Sequence, residues 1–281
     1  MRKYFWWLII GIKLIVSYFP ILQELLRKAG FYSPGNMDKI GYAVSCYFEH
    51  VEKAQVNGAK LNLGKVVELG PGGSNLSALI GGLQGVEETI LIDLQKINKT
   101  LELEAEENYH EIRKKLKTEN PRGFESIKYK YFQYGLKSFQ YIESDSVDYL
   151  WSHVVLQHVS LQEFPSLISE LHRVCKDGAI MSHKVDFKDC ICAGLNNMRF
   201  SDDVWNSIRF QRSGFYTNRL RRNDMLKYFE REGFRILKVE DNYFEKSPIK
   251  WEQCSADIKN RYTPQDLEYS GSHFICQKIS K

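Results

Sequence analysis

A chain of 281 residues with 43% hydrophobic and 26% charged residues has the makeup of a folded globular protein, which excludes a disordered or low-complexity one. Its formal net charge of +4, with lysines and arginines interspersed among acids, argues against a nucleic-acid partner. Six cysteines occur without a Cys-x-x-Cys pair, so no zinc spacing is present, no metal is expected, and the thiols read as reduced ones of a cytoplasmic protein.

The first element, within residues 1–30, is an apolar helix running from Tyr4 to Phe19. Lys13 interrupts it and Pro20 follows it, so it falls short of the ~20 apolar residues that a membrane span needs. Tyr18-Phe19-Pro20-Ile21 offers no small-residue cleavage site. Lys13, Ser17, Glu24 and Arg27 share one helical stripe, while Trp6, Trp7, Tyr18 and Phe19 suit a lipid headgroup region. Peripheral contact with the cytoplasmic face of a membrane through residues 4–26 fits this pattern best. A helix docked on its own domain and a true span are the alternatives.

Residues 31–60 form a helical lead-in. It has a linker at Ser33-Pro34-Gly35-Asn36 and a helix from Met37 to Gln55 carrying Ile40, Val44, Tyr47, Phe48 and Val51 at helical spacing. From residue 61 to 281 the pattern changes to short apolar strands alternating with helices. Strands are predicted at 65–69, 89–93, 127–133, 147–153 and 179–183, the last entered by a turn at Asp177-Gly178. The intervening helices cover 75–80, 96–117 and 162–174. Such alternation predicts an α/β fold with a doubly wound, mostly parallel sheet. Asn223 is a plausible N-cap for a helix to Glu232, ended by Gly233, and two closing strands follow at 234–239 and 272–278. The connection 186–222 is too long for filler and reads as a substrate lid.

The first strand ends in Glu68-Leu69-Gly70-Pro71-Gly72-Gly73-Ser74. Glycines at a strand's carboxyl end let a ligand approach the backbone where a Cβ would collide. Glu68 can hold a neighbouring backbone amide and bias the pocket toward a cation. Asp93, about 25 residues further and at the end of the second strand, is placed to bind ribose hydroxyls, as the acid ≈20 residues on does in dinucleotide sites. A nicotinamide dehydrogenase would want a glycine where Asn75 stands, and Glu68 would repel its phosphates.

Val66 to Ser74 resembles motif I of class I, Rossmann-like methyltransferases of the type 11-like kind, and Asp93 matches their ribose-binding acid. Asp145 to Val159 resembles their fourth-strand motif, in which Trp151 is read as a cofactor contact. Leu171 to Ala179 resembles the turn into their fifth strand. The resemblance covers Gly64 to Lys184 and implies S-adenosyl-L-methionine as cofactor and a seven-stranded sheet with an antiparallel last strand. Many relatives carry an acid after the third strand to meet adenine. Gln133-Tyr134-Gly135 stands there instead, so adenine would be held by a backbone amide, by Gln133 or by stacking on Tyr134.

For an alcohol acceptor, a general base helps, and imidazole suits neutral pH. His153 ends the fourth strand and His183 the fifth, with Asp186 three residues on, and these three are the candidate catalytic groups. Asn196, Asn197, Arg199, Arg209, Arg212, Tyr216, Asn218, Arg219, Arg221 and Arg222 would suit a hydroxylated or anionic ligand. The segments 183–186, 194–200 and 215–219 are loosely similar to methyltransferases of bacterial surface-polysaccharide clusters. This ranks O-methylation of a glycan or glycolipid precursor first, a lipid or quinone headgroup second, and a non-catalytic scaffold of the same fold last.

Overall fold

In the computed structural model, which describes residues 6–19, 35–57, 64–118 and 123–280, the apolar runs form the strands β1 (Lys65–Leu69), β2 (Glu88–Ile92), β3 (Tyr129–Phe132), β4 (Val147–His153), β5 (Cys175–Asp186), β6 (Phe234–Tyr243) and β7 (Tyr269–Lys278). They make one seven-stranded sheet in the order β3-β2-β1-β4-β5-β7-β6. β7 is antiparallel to both its neighbours, and the pairings among β1 to β5 are parallel. The expected doubly wound sheet with an antiparallel last strand is therefore observed.

Alternation along each strand sends side chains to two helical layers. On one face Val66, Tyr149, Trp151, Ile180 and Ile275 pack under α2 (Ile40–Val56), α3 (Leu76–Leu83) and the helix pair α4 (Lys99–Leu103) and α5 (Ala105–Leu116). On the other, Val67, Leu150, Met181 and Phe274 pack under α6 (Phe164–Val174) and α9 (Arg222–Glu232).

Several boundaries differ from the sequence expectation for local reasons. The helix expected over 96–117 starts only after Asn98, whose side chain accepts from Thr100 N at 3.1 Å, and it breaks at Glu104. The Asp177-Gly178 turn is an irregularity inside β5, with Gly178 at φ +79° and a register shift opposite it in β4. Asn223 is not the N-cap of α9. Arg221 is, without a side-chain cap bond, while Gly233 ends the helix in the left-handed conformation as expected.

Residues 186–222 carry two single-turn helices, α7 (Asp202–Trp205) and α8 (Ile208–Gln211), around Trp205, Phe210, Phe215 and Tyr216. A second small core joins Leu195 and Met198 to Ile249, Ile258 and Tyr262 of the β6–β7 connection, which holds α10 (Ala256–Arg261). The first helix, α1 (Trp6–Ser17), packs on the lid: Ile10 is buried beside Trp205 and Phe215, and Lys13 Nζ donates to Cys190 O at 2.8 Å. Lys13 thus faces the lid and not an outer polar stripe. The opposite side of α1 leaves Trp7, Leu8, Ile12 and Ile15 exposed, and Tyr18 and Phe19 are exposed beyond it. Among the described residues no helix is long and apolar enough to cross a membrane. Tyr4, Phe5, Glu24, Arg27, the linker residues Ser33 and Pro34, and residues 58–63 lie outside the described residues.

Candidate functional site

From β1 the chain winds outward through β2 to β3, then returns to place β4 on the other side of β1. The winding reverses between β1 and β4, and ligand crevices in such sheets lie at the strand carboxyl ends beside that reversal. The glycine turn occupies this position. Gly70, Gly72 and Gly73 have φ of +71°, +67° and +77°, a conformation that costs a side-chain-bearing residue. Gly72 N donates to Asp93 Oδ2 at 2.8 Å, while Asp93 Oδ1 accepts from Leu94 N (2.7 Å) and Gln95 N (2.9 Å). The half-buried carboxylate therefore ties the β1 turn to the end of β2.

Beyond Asp93, Leu94 is 82% exposed and Tyr134 52% exposed, with Gln133 exposed beside it. These uncovered side chains stand at neighbouring strand ends, which Gly135 N joins by donating to Asp93 O at 3.0 Å. Gly135, at φ +52°, lets Leu94 lie against the backbone, because a Cβ there would lie 2.7 Å from Leu94 Cδ2. Tyr131, which sequence reasoning assigned only to a strand, reaches in from β3 and donates to Gln95 O at 3.1 Å. Burial, and next the charge of Asp93, pushes its phenol up.

Glu68 is fully buried. It accepts from the Ser77 hydroxyl of α3 in place of the expected backbone amide. Burial raises its pKa to about 8, so it is mostly protonated at neutral pH.

Gly70 does not present an open cradle as expected. A Cβ added there would overlap Val155 Cγ2. Val155 is held down by a strained turn, since Val154 has φ +61°, a genuine outlier for a β-branched residue that costs ~1–3 kcal/mol. The turn is fixed by Val154 N donating to Lys184 O (2.8 Å) and Gln157 Nε2 donating to Val154 O (2.9 Å). Nothing in a Val-Val pair signals a left-handed backbone, so this feature was invisible in the sequence.

The three expected catalytic groups do not converge. His183 is fully buried on the α9 face, hydrogen-bonded through Nδ1 to Ser152 Oγ at 2.7 Å and flanked by Phe229 and Phe274, and burial lowers its pKa to about 3. Asp186 turns to its own loop, accepting from Lys188 N at 2.9 Å. Trp151 is a core residue packed against Tyr47 and His50, not a lining of the crevice. His153 alone is half-buried at the crevice end of β4. Its Nε2 lies 3.3 Å from Tyr42 OH and 3.7 Å from Cys46 Sγ, and its Nδ1 3.1 Å from His50 Nε2.

Most polar lid residues are struts. Arg221 is buried and donates to the carbonyls of Asp266 (2.9 Å), Phe187 (3.1 Å) and Tyr269. Arg219 pairs with Asp202 and donates to Asn197 O and Phe200 O, Arg222 pairs with Asp241, and Arg199 contacts Asn196 and Gln253. Asn197 donates to Thr217, Asn196 to Asp189 and Tyr216 to Asn206, while Asn218 donates to Leu156 O and Val159 O and so ties the lid to the β4 turn. Arg209 and Arg212 remain exposed.

No protein-family model matches the chain, and no curated protein matches it in sequence. Among solved structures, an S-adenosylmethionine-dependent methyltransferase from Methanosarcina mazei aligns at 16% identity over 77% of this chain and 93% of that one, with a TM-score of 0.48. One from Mesorhizobium loti aligns at 15% over 81% and 96%, with a TM-score of 0.46. The cyclase SpnF aligns at 14% over 77% and 75%, with a TM-score of 0.45.

Proposed function

We propose that the chain is an S-adenosylmethionine-dependent methyltransferase that O-methylates a glycan or glycolipid precursor. The observation that carries this is the joining of Gly72 to Asp93 at the point where the sheet's winding reverses, with His153 on the adjacent strand end. The free lone pair of Asp93 Oδ2 would take a ribose hydroxyl, and Leu94 and Tyr134 would flank the adenine. Glu68 would ionise toward the positively charged end of the ligand. Bound there, S-adenosylmethionine supplies an electrophilic methyl group. The chain's own residues hold the acceptor oxygen in line and remove its proton. Val155 must turn aside from Gly70 for the ligand to seat fully.

The acceptor class is supported by α1. Its uncovered side sets Trp7, Ile12, Ile15 and Tyr18 toward solvent without an acidic residue in the helix, and Arg209 stacks over Tyr18 at 5.8 Å. An apolar face with a basic neighbour suits the anionic cytoplasmic surface of a membrane, where a lipid-linked acceptor resides. The same face favours a lipid or quinone headgroup as the second choice of acceptor.

Calorimetry with S-adenosylmethionine and its demethylated product tests the cofactor. Binding that Asp93→Ala weakens is expected, and absence of binding by either ligand refutes the proposal.

A further inference from the structure

His153 is one end of a line of polar groups that runs from the crevice through the interior of the protein. His153 Nδ1 lies 3.1 Å from His50 Nε2 on α2, and His50 Nδ1 lies 2.7 Å from Ser182 Oγ on β5. Ser182 Oγ lies 2.9 Å from His273 Nε2 on β7, and His273 Nδ1 lies 3.5 Å from Glu49 Oε1 on α2. Glu49 is clamped by Lys184 Nζ at 2.8 and 2.9 Å. It borders a hollow of about 480 Å3 lined also by Glu52, Lys53 and Glu240 on the far side of α2. His50 and Ser182 are wholly buried and His273 nearly so.

The charge of Glu49 biases the direction of these bonds. Burial acts to raise the Glu49 pKa, but the hydrogen bond and charge of Lys184 outweigh it, so the group stays ionised and can only accept. Its charge, 3.5 Å from His273 Nδ1 and outside hydrogen-bond geometry, favours the proton on that nitrogen, which leaves Nε2 an acceptor. Ser182 then donates to that nitrogen, so its oxygen accepts from His50 Nδ1–H. His50 Nε2 in turn accepts from His153 Nδ1–H. One lone pair remains at the end, on His153 Nε2, where Tyr42 and Cys46 can both donate. Burial, foremost, depresses all three rings, His153 and His273 to about 4 and His50 well below its usual value, so each is neutral and has a single tautomer to choose.

His153 stands at the strand end beside the glycine turn, with Nε2 toward Tyr42 and Cys46 of α2. Leu69 pairs with Ser152, so the next residue of β4 is level with Gly70, about 5 Å away across adjacent strands. We propose that Glu49, His273, Ser182 and His50 form a directional relay that holds His153 with Nε2 unprotonated at the crevice end of β4, making His153 the group that takes the acceptor's proton. This deepens the methyltransferase assignment and rests on it.

In the step itself, the acceptor oxygen attacks the methyl carbon and a C–O bond forms. The C–S bond breaks with its electron pair left on sulfur, which becomes a neutral thioether. The acceptor's proton goes to His153 Nε2. Each ring then passes its Nδ1 proton onward, through Ser182 to His273, and Glu49 at the solvent hollow takes the last proton once the 3.5 Å gap to His273 Nδ1 closes. His50, Ser182 and His273 are positioning residues.

Nitrogen-15 shifts of the imidazole rings, measured by long-range correlation on the full chain, test the relay without an acceptor. The Nδ1–H tautomer is expected for His50, His153 and His273, biased about tenfold as one net hydrogen bond allows. Ser182→Ala and, at the half-exposed end of the relay, Glu49→Ala should each abolish that bias in the rings further along. A wild-type His153 with the proton on Nε2, or unchanged rings in the folded Glu49→Ala variant, would overturn the relay. Adding S-adenosylmethionine should move the His153 resonances and leave those of exposed His110 in place. Binding by calorimetry with His153 unmoved would also overturn the proposal. Absence of binding removes the methyl-transfer assignment and the step with it, while the tautomers still decide whether the relay exists.

Discussion

Replacing Glu68 by Gln should make the protein more stable and, at the same time, a poorer binder of a cationic ligand. The buried carboxyl has a pKa of about 8 in the folded state against a usual 4.5, with burial as the main cause. Between those values the unfolded chain has lost the proton and the folded one keeps it. Stability therefore falls as pH rises, by about 1.4 kcal/mol per pH unit. The deficit is absent below pH 4.5, reaches roughly 3 kcal/mol at pH 7 and levels off near ~5 kcal/mol above pH 8. Glutamine keeps the Ser77 hydroxyl bond through its own carbonyl oxygen and has no proton to lose. Urea unfolding of wild type and Glu68→Gln at intervals from pH 5 to 9 reads the difference directly. The two stabilities should agree near pH 4.5 and diverge upward. Parallel curves would mean that Glu68 is ionised in the folded protein, and the idea of a carboxyl that charges only on ligand arrival would fail. The wild type should in addition release close to one proton on binding S-adenosylmethionine at pH 7, visible as a dependence of the calorimetric heat on buffer, and the variant should release none from this site.

Gly70→Ala should cost about 1–3 kcal/mol, from the positive φ and the overlap with Val155, and Val155→Ala should restore the overlap part but not the backbone part. Full additivity in that double-mutant cycle would show that the two side chains do not meet. Arg221→Met leaves the carbonyls of Phe187, Asp266 and Tyr269 without their buried donor, and a loss of about 3–5 kcal/mol in chemical unfolding is expected. An effect below ~0.5 kcal/mol would return this arginine to the candidate ligand contacts. Trp7→Ser with Ile15→Ser alters only the exposed side of α1 and should lower flotation with anionic phosphatidylglycerol vesicles at least tenfold, since each side chain forfeits about 1.5–3 kcal/mol of apolar burial. Equal flotation would remove the membrane from the function.

The sheet was legible in the sequence because its central strands announce themselves as short, mostly apolar runs bounded by turn residues, as Val147 to His153 and Lys65 to Leu69 do. The glycine turn and Asp93 were legible because residue type alone fixes what they can do: only glycine accepts three left-handed positions so close together, and only a carboxylate can gather several backbone amides at once. Strand length and parity were not legible. β5 runs on to Asp186, so His183 lies within the strand, and its register opposite Ser152 points it at Phe229 and Phe274. Reading His183 as the strand's last residue made it look like a partner of His153. The lid arginines misled for another reason. An irregular segment leaves many carbonyls without backbone partners, and a guanidinium with five donors satisfies several of them from one buried position. Arg219 and Arg221 serve the lid's own backbone before they can serve a ligand.

His50 and His273 carried no signal at all, since one sits among the apolar residues of a helix and the other in a closing strand, and only the sheet order brings both to His153. The two faces of the sheet then treat imidazole in opposite ways. On the α9 face, His183 has one partner in Ser152 and a buried Nε2 with none, so a proton arriving there would have nowhere to go. On the α2 face every nitrogen of His50, and both polar contacts of Ser182, lead onward to another group and end at His273, whose Nδ1 has no hydrogen bond but lies 3.5 Å from an ionised carboxylate beside solvent. Burying three imidazoles without a counter-ion at one of them would leave their tautomers to chance and favour none of their roles. Placing Glu49 at the far end gives the line a direction. That direction, and not the nearness of any histidine to the glycine turn, is what singles out His153 from the candidates the sequence offered.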